Sequence, residues 1–223
     1  LKEEFKVEEM SSISTLEVAW EHFPWGERVK YRGICIGGYM DETSFCNRVA
    51  KTNKLELLKW AREEKKCEWN VDTISAAAQQ GNLEMVKYCV ANECPIDERA
   101  CAFAAENGHL ECLKYLHEEA KVPWDWRTAA SAASNGHLHI LEYLVERKVD
   151  KYGEYACRWA AKNGHLDCLK YLRETAKAPW DSQAVREAHG YDHPECLQYL
   201  LDNNCPLPFG WQYEDGELRV AED

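Results

Sequence analysis

The stretch AAENGHLECLKYL, residues 104–116, returns with few changes as AASNGHLHILEYL at 132–144 and as AAKNGHLDCLKYL at 160–172. A looser copy surrounds residue 81, and two degenerate copies replace the glycine by Asn or Asp. Self-similarity at a fixed spacing is the signature of a repeat protein. The equivalent positions, which we call the anchors, lie 27 or 28 residues apart: Asn53, Gly81, Gly108, Gly136, Gly164 and Asp192. They predict six repeats over residues 40–206.

Each repeat has the pattern of two amphipathic helices joined by a turn at its anchor. Apolar residues recur seven, four and three residues before the anchor and two, five and eight residues after it, and each set lies on one face of a helix. Gly, Asn and Asp tolerate the left-handed conformation that such a turn needs. Turns containing Pro, at 94–97, 122–125 and 178–181, end the second helix and supply an Asp that can cap the next one.

A single helix pair buries too little apolar surface to be stable, whereas stacked pairs share one core. The sequence therefore predicts an all-α, helix-turn-helix solenoid of about six repeats with terminal caps. We interpret residues 1–39 as the N-terminal capping segment, in which Ser14 and Glu17 resemble a capping box that opens a short helix. That helix should end near Pro24. Residues 25–39 are rich in glycine and aromatic residues, and the pattern assigns no element to them.

The last residues, 207–223, also depart from the repeat, and we interpret them as an acidic C-terminal tail. We expect the acidic end to be frayed. Its aromatic residues are candidates to dock on the last helix pair: Phe209, Trp211 and Tyr213.

The charge balance limits the possible partners. The 223 residues include 27 Lys and Arg against 39 Asp and Glu, a formal net charge of −12. An excess of acid argues against nucleic acid and against an anionic membrane surface, both of which attract Lys and Arg. No apolar run approaches the roughly 20 residues that cross a bilayer, so direct membrane insertion is not expected. If the partner is a protein, its contacting face should be partly basic.

Eleven cysteines raise the question of metal binding or disulfides. Six of them recur at two places that hold apolar residues in other repeats: Cys46, Cys101, Cys157, Cys112, Cys168 and Cys196. A buried free Cys behaves as a small apolar residue, and the sequence lacks a C-x-x-C pair, so we expect no metal and no cofactor. Free thiols indicate an intracellular reducing compartment: cytoplasm or nucleus, or an organelle stroma if a targeting segment was removed.

Histidines follow the anchor in the last four repeats: His109, His137, His165 and His193. Adjacent repeats lie about 8–10 Å apart, too far for consecutive histidines to share an ion. We expect them to bond backbone groups of the turn. His117 and His139 fall outside this register and are predicted to be exposed.

Motifs of hydrolases, metalloproteases, P-loop and dinucleotide-binding proteins are missing from the sequence, which favours a non-enzymatic protein. Two alternatives stay open. One is an enzyme with an unrecognised site near the N-terminal segment, motivated by residues 25–39. The other is a metal- or redox-sensing array built on the recurring histidines and thiols.

The recurring pattern A-A-x-x-G-H-L-x-x-L-x-x-L, as in residues 104–116, resembles the ankyrin repeat. Two features differ from that family: the Thr-Pro-Leu-His opening of the first helix is absent, and the period is 27–28 rather than about 33 residues. The hairpin between ankyrin repeats should therefore be shortened to a tight turn. The resemblance implies protein–protein interaction, as a scaffold or adaptor or as a subunit of a larger complex.

The resemblance also implies that the first helices line the binding side. Positions nine and five residues before the anchor lie opposite the buried face of these helices, and the family adds positions ten and two. Aromatic residues and Arg are enriched in interface hot spots. The candidate protein-binding residues in repeats three to five are Arg99, Phe103, Trp126, Arg127, Tyr155, Trp159 and Lys162. Phe103 and Trp159 have the alternative role of filling space between repeats, and a structural role is favoured for Trp69, Trp124 and Trp180.

Overall fold

A computed structural model describes residues 6–23, 28–31, 34–39, 41–147 and 152–220. In this part of the chain we find thirteen α-helices and two short antiparallel hairpins, which confirms the predicted all-α, ankyrin-like class. Two compact units are distinguished and are described separately. Unit one comprises Leu1–Ala104 and Glu111–Pro123, and unit two comprises Ala105–Leu110 and Trp124–Asp223.

Unit one contains the first repeats and the N-terminal elements. A 3₁₀ turn, Val7–Glu9, precedes the helices and a β-hairpin. Its elements are α1 (Ile13–His22), β1 (Arg28–Tyr31), β2 (Ile34–Tyr39), α2 (Glu42–Lys51), α3 (Leu55–Glu63), α4 (Val71–Gln79) and α5 (Leu83–Ala91), with most of α6 (Arg99–Glu106) and α7 (Leu110–Lys114). A π-helical turn, Tyr115–Glu119, continues α7. Within this unit α2 packs against α3 and α4, and α4 packs against α5.

Unit two repeats the same arrangement. Its elements are α8 (Trp126–Ser134), α9 (Leu138–Glu146), α10 (Gly153–Lys162), α11 (Leu166–Glu174), α12 (Ser182–Gly190), α13 (Pro194–Asp202), β3 (Gln212–Glu214) and β4 (Glu217–Arg219). The first helices form one layer, in which α10 packs between α8 and α12. The second helices form the other layer, in which α11 packs against α9 and α13. Small residues of the first helices, such as Ala132 and Ala160, and leucines of the second helices, such as Leu144 and Leu172, are fully buried between the layers.

The anchors adopt the backbone conformation that the sequence predicts. All six have positive φ, from 58° at Asp192 to 76° at Gly108 and Gly164. In unit two a glycine is needed for a second reason, because a histidine ring of the next repeat lies directly over it. A Cβ atom on Gly136 would stand 2.8 Å from Nδ1 of His165.

The histidine that follows an anchor joins neighbouring repeats within unit two. Nε2 of His137 lies 3.0 Å from the carbonyl oxygen of Glu106, and Nε2 of His165 lies 3.1 Å from that of Ser134. Both backbone groups belong to the preceding repeat. The prediction that these histidines bond backbone groups of the turn is confirmed at both positions.

The predicted aspartate caps are also present. The side chains of Asp125 and Asp181 each accept a hydrogen bond from a backbone N–H in the first turn of the next helix, at 2.9 and 3.1 Å. Such a cap contributes about 1 kcal/mol of stability.

The N-terminal segment differs from the prediction in its details. Helix α1 begins at Ile13 and is capped by Ser12, whose hydroxyl forms a capping box with Thr15. Ser14 therefore lies inside the helix, and the predicted box at Ser14 and Glu17 is wrong. The helix packs on α3, and Trp20 meets Phe45 of α2 edge to face with ring centroids 5.0 Å apart.

Residues 28–31 and 34–39 pair as an antiparallel hairpin in the stretch to which the sequence assigned no element. Pro24 and Trp25 lie outside the described residues, as do the side chains of residues 26–40. The alternative of an enzymatic site in that stretch therefore stays untested.

The C-terminal segment is a second hairpin rather than a frayed tail. Strands β3 and β4 pair in register from residue 212 to residue 219, and the last three residues lie outside the described part. The indole of Trp211 meets the ring of His189 with centroids 5.1 Å apart, and the hydroxyl of Tyr213 accepts a hydrogen bond from Gln198. Phe209 is fully exposed, so its expected docking is wrong.

The structure describes the side chains of ten of the eleven cysteines, and all ten are buried and outside disulfide bonds. Cysteines also occupy the turns that end three of the repeats. There the thiol donates to a backbone carbonyl at the start of the same repeat: Cys67 to Glu42, Cys94 to Asn70 and Cys205 to Asp181. These thiols have a packing role in the two units, as their positions in the sequence predict.

Candidate functional site

The seven candidate residues fall into two groups. Arg99 and Phe103 lie on the part of α6 that belongs to unit one. The other five lie on α8 and α10, which pack side by side in unit two: Trp126, Arg127, Tyr155, Trp159 and Lys162. Unit two therefore brings five of the seven onto neighbouring helices.

The two arginines repeat one local geometry. Each lies two residues after the capping aspartate of its own helix, and its Nε donates to the second oxygen of that carboxylate. The distance is 2.9 Å for Arg99 to Asp97 and 2.7 Å for Arg127 to Asp125. Arg99 also pairs with Asp72 at 3.0 Å, and its pKa is raised, first by the hydrogen bond to Asp97. Both guanidinium groups are held by carboxylates while their side chains stay about two-fifths exposed.

Two aromatic rings form the first half of the exposed surface of unit two. Trp126 and Tyr155 have their ring centroids 4.8 Å apart with an interplanar angle of 34°. They are 43% and 39% exposed, more than is usual for large aromatic side chains. The guanidinium of Arg158 lies 5.1 Å from the Tyr155 centroid, and it pairs with Asp181 at 2.9 Å.

The second half surrounds Lys162. Its ammonium nitrogen lies 4.9 Å from the ring centroid of Trp159 and 4.5 Å from that of Tyr191, within the range of a cation–π interaction. The same nitrogen lies 3.7 Å from Oε2 of Glu187. The pKa of Lys162 is raised, first by the hydrogen bond to Tyr191 and then by the charge of Glu187. Trp159 is 36% exposed and Tyr191 54% exposed, so both rings can be reached from the solvent.

We call Trp126, Tyr155, Trp159 and Tyr191 the aromatic surface. Tyr191 was not among the residues predicted from the sequence. It lies one residue before the last anchor, where three earlier repeats carry Asn. An aromatic residue in a place that is otherwise polar was the signal that could have identified it. Phe103 of unit one is half-buried, and its alternative role in packing stays open.

The three tryptophans favoured as structural do pack within their units. Each meets the tyrosine of its own repeat nearly edge to face at about 6 Å: Trp69 with Tyr88, Trp124 with Tyr143 and Trp180 with Tyr199. An arginine of the preceding repeat covers two of these indoles, with Arg62 4.1 Å from Trp69 and Arg173 4.4 Å from Trp180.

His117 was predicted to be exposed and is half-buried. It occupies the same place relative to its anchor as Arg62 and Arg173, nine residues after it. All three side chains bond the backbone carbonyl of the turn five residues later, and for His117 this partner is Val122 at 3.2 Å. His139 is exposed as predicted and lies 3.1 Å from the carbonyl oxygen of Gly108.

Across residues 6–23, 41–147 and 152–220, no group of three His, Cys, Asp or Glu side chains is arranged to hold a metal ion. None of the helices described is both long and apolar enough to cross a membrane.

Comparison with known proteins identifies the repeat. The family model for ankyrin repeats (three copies) matches residues 47–125, 102–184 and 130–208. No curated protein matches the sequence significantly. Among solved structures, a chain from the crystal structure of the yeast ribosomal protein Rps3 in complex with its chaperone Yar1 is 24% identical. The match covers 59% of this chain and 91% of that one, with a TM-score of 0.27.

Proposed function

Since the chain belongs to the ankyrin-repeat family, whose members mediate protein–protein interaction, we propose that it is a non-enzymatic module that docks a protein partner through the aromatic surface of unit two. It would act as a scaffold or adaptor, or as a subunit of a larger complex. The observation that carries the proposal is the exposure of four aromatic rings of unit two, in which Trp126 lies against Tyr155 and Lys162 joins Trp159 to Tyr191. Exposed apolar surface of this kind marks an interaction site when it is contiguous.

The charges around these rings favour a partner with a basic face. Three cations lie on α8 and α10, the helices that carry three of these rings, and each is matched by a carboxylate of the same chain: Arg127 by Asp125, Arg158 by Asp181 and Lys162 by Glu187. They offer little unbalanced positive charge to an anionic partner, and the net charge of −12 attracts a cationic one. This argues against nucleic acid for the same reason. We also propose an intracellular reducing compartment, which is supported by buried cysteines that form no disulfide with one another among the ten whose side chains are described.

The test is the affinity of the natural partner for variants of the aromatic surface. Partners captured from the native source by the wild-type chain are compared with those captured by Trp159→Ala and Arg127→Ala. Truncating an aromatic anchor at an interface costs about 2 kcal/mol or more, which is roughly a thirtyfold loss of affinity. We expect this loss for Trp159→Ala and a smaller one for Arg127→Ala, with little change in melting temperature.

Phe209→Ala is the matched control, since Phe209 is a fully exposed aromatic residue outside this surface. It should leave partner binding intact. Unchanged affinity in both test variants would disprove the proposed surface.

A further inference from the structure

We infer that Trp159, Tyr191 and Glu187 form a seat for a guanidinium group of the partner, which Lys162 occupies in the free protein. The inference rests on the proposed function and names the partner side chain that the surface recognises: an arginine in a basic segment. Two ring faces and a carboxylate around one position are the components of a cation-binding site.

Lys162 makes only part of the contacts that this seat offers to a cation. Its distance of 3.7 Å from Glu187 is longer than the 2.7–3.2 Å of nine other ion pairs within the described residues. An ammonium is a compact charge that cannot stack flat on a ring. A guanidinium is planar, stacks on aromatic faces and binds a carboxylate through two parallel hydrogen bonds. An incoming arginine can therefore make both contacts better than the lysine that it displaces.

The surroundings of the seat also favour a cation. Tyr191 and Trp159 expose about half and a third of their surfaces to solvent, so the seat can be reached from outside. From the start of α12 at Ser182 to residue 220 the sequence carries two arginines, Arg186 and Arg219, and no lysine. The carboxylates in the same stretch are Glu187, Asp192, Glu195, Asp202, Glu214, Asp215 and Glu217. Like charges gathered on one part of a protein speed the approach of an oppositely charged segment.

The experiment measures the binding of synthetic peptides to the full chain by calorimetry and by fluorescence at low salt. The probes are a peptide of alternating glycine and arginine, its lysine counterpart, and its citrulline counterpart, which keeps the shape of arginine without the charge. We expect the arginine peptide to bind most tightly and the citrulline peptide to bind least. Glu187→Gln and Tyr191→Leu should each weaken the binding of the arginine peptide.

Lys162→Ala is the decisive variant, because it empties the seat. It should increase the affinity for the arginine peptide on the order of two- to fivefold, because the peptide no longer has to displace a lysine held by an exposed cation–π contact. Lys170→Ala is the matched control: Lys170 is exposed on α11, 5.8 Å from the ring of Tyr199, and has the same charge. It should not strengthen binding, even though it makes the chain equally more acidic.

Equal binding of the citrulline and arginine peptides, or an equal gain from Lys162→Ala and Lys170→Ala, would overturn the seat. The proposed function is disproved by a different set of results. If Trp159→Ala and Arg127→Ala lose the natural partner but Lys162→Ala gains no affinity for the arginine peptide, the docking surface is supported and the guanidinium seat is disproved. If the peptides behave as expected but both surface variants keep the partner, the docking proposal falls.

Discussion

At the scale of single residues, the anchor glycines of unit two combine two requirements that are independent of each other. The backbone there is left-handed, with φ of +73° at Gly136, and the imidazole of the next repeat lies over the Cα atom. The first requirement could be predicted from the sequence, because Asn and Asp replace glycine at two anchors. The second could not, since the position of His165 over Gly136 depends on how α10 and α11 pack against α8 and α9.

Gly136→Ala should therefore lower the free energy of unfolding by about 2 kcal/mol. An L-residue in this conformation costs roughly 1–2 kcal/mol, and the new Cβ would stand 2.8 Å from Nδ1 of His165. Urea titration followed by circular dichroism measures the change. The control is Gly190→Ala at the end of α12, where nothing lies within 4 Å of the added atom. A helical alanine there should be neutral or stabilising by about 0.5 kcal/mol. Similar values for the two variants would refute the proposed role of the close histidine.

At the scale of the elements, the helix pairs were predictable and the terminal hairpins were not. Apolar residues at helical spacing locate each pair, and the anchors locate the turn between its helices. The C-terminal hairpin did carry a signal in the sequence, the dipeptide Asp215-Gly216. Both residues have positive φ, +52° and +81°, as a tight hairpin turn needs. Its strands are only three residues long, so the alternation of apolar and polar residues was too short to be recognised in the sequence. The boundaries 1–39, 40–206 and 207–223 stay predictions.

The same limit applies to the candidate surface. The positions of Tyr155 and Trp159 on the exposed side of their helix follow from helical periodicity, and that of Trp126 follows from the resemblance to the ankyrin repeat. The cation–π contacts of Lys162 do not, because they join α10 to Tyr191, which lies beyond the end of α12. Contacts between side chains of different repeats depend on rotamers, and no periodic pattern in one sequence encodes them.

Trp211→Ala should destabilise unit two by about 1–2 kcal/mol. Trp211 is half-buried, and its ring meets His189 edge to face at the end of the last first-layer helix. Such an aromatic pair contributes about 0.5–1.5 kcal/mol beyond the apolar area that it buries. Phe209→Ala, which removes an aromatic side chain of full exposure two residues away, should change stability by less than about 0.5 kcal/mol. Thermal unfolding of both variants gives the comparison. Equal melting temperatures would show that the hairpin does not cap the helices.

At the scale of the whole molecule, the thiols report on whether the two units stay closed. The ten described cysteines are buried, and burial raises the pKa of Cys112, Cys168 and Cys196 to about 11 and that of Cys157 and Cys205 to about 12. A thiol reacts as its thiolate, which at pH 8 is on the order of one part in a thousand for a pKa of 11. Alkylation should therefore be limited by opening of the structure and not by the reagent.

We expect a Cys35→Ser variant, which leaves the ten cysteines whose side chains the structure describes, to take up less than one iodoacetamide adduct per chain within an hour at pH 8. In urea above the unfolding midpoint it should take up ten, because every thiol then titrates near its ordinary pKa. Mass spectrometry of the intact chain counts the adducts at each urea concentration, and the midpoint of labelling should coincide with that of circular dichroism. Rapid modification of several thiols in the native protein would contradict this. It would instead favour the alternative that the repeats serve as a redox-sensing array, since a sensor thiol must be both exposed and easily ionised.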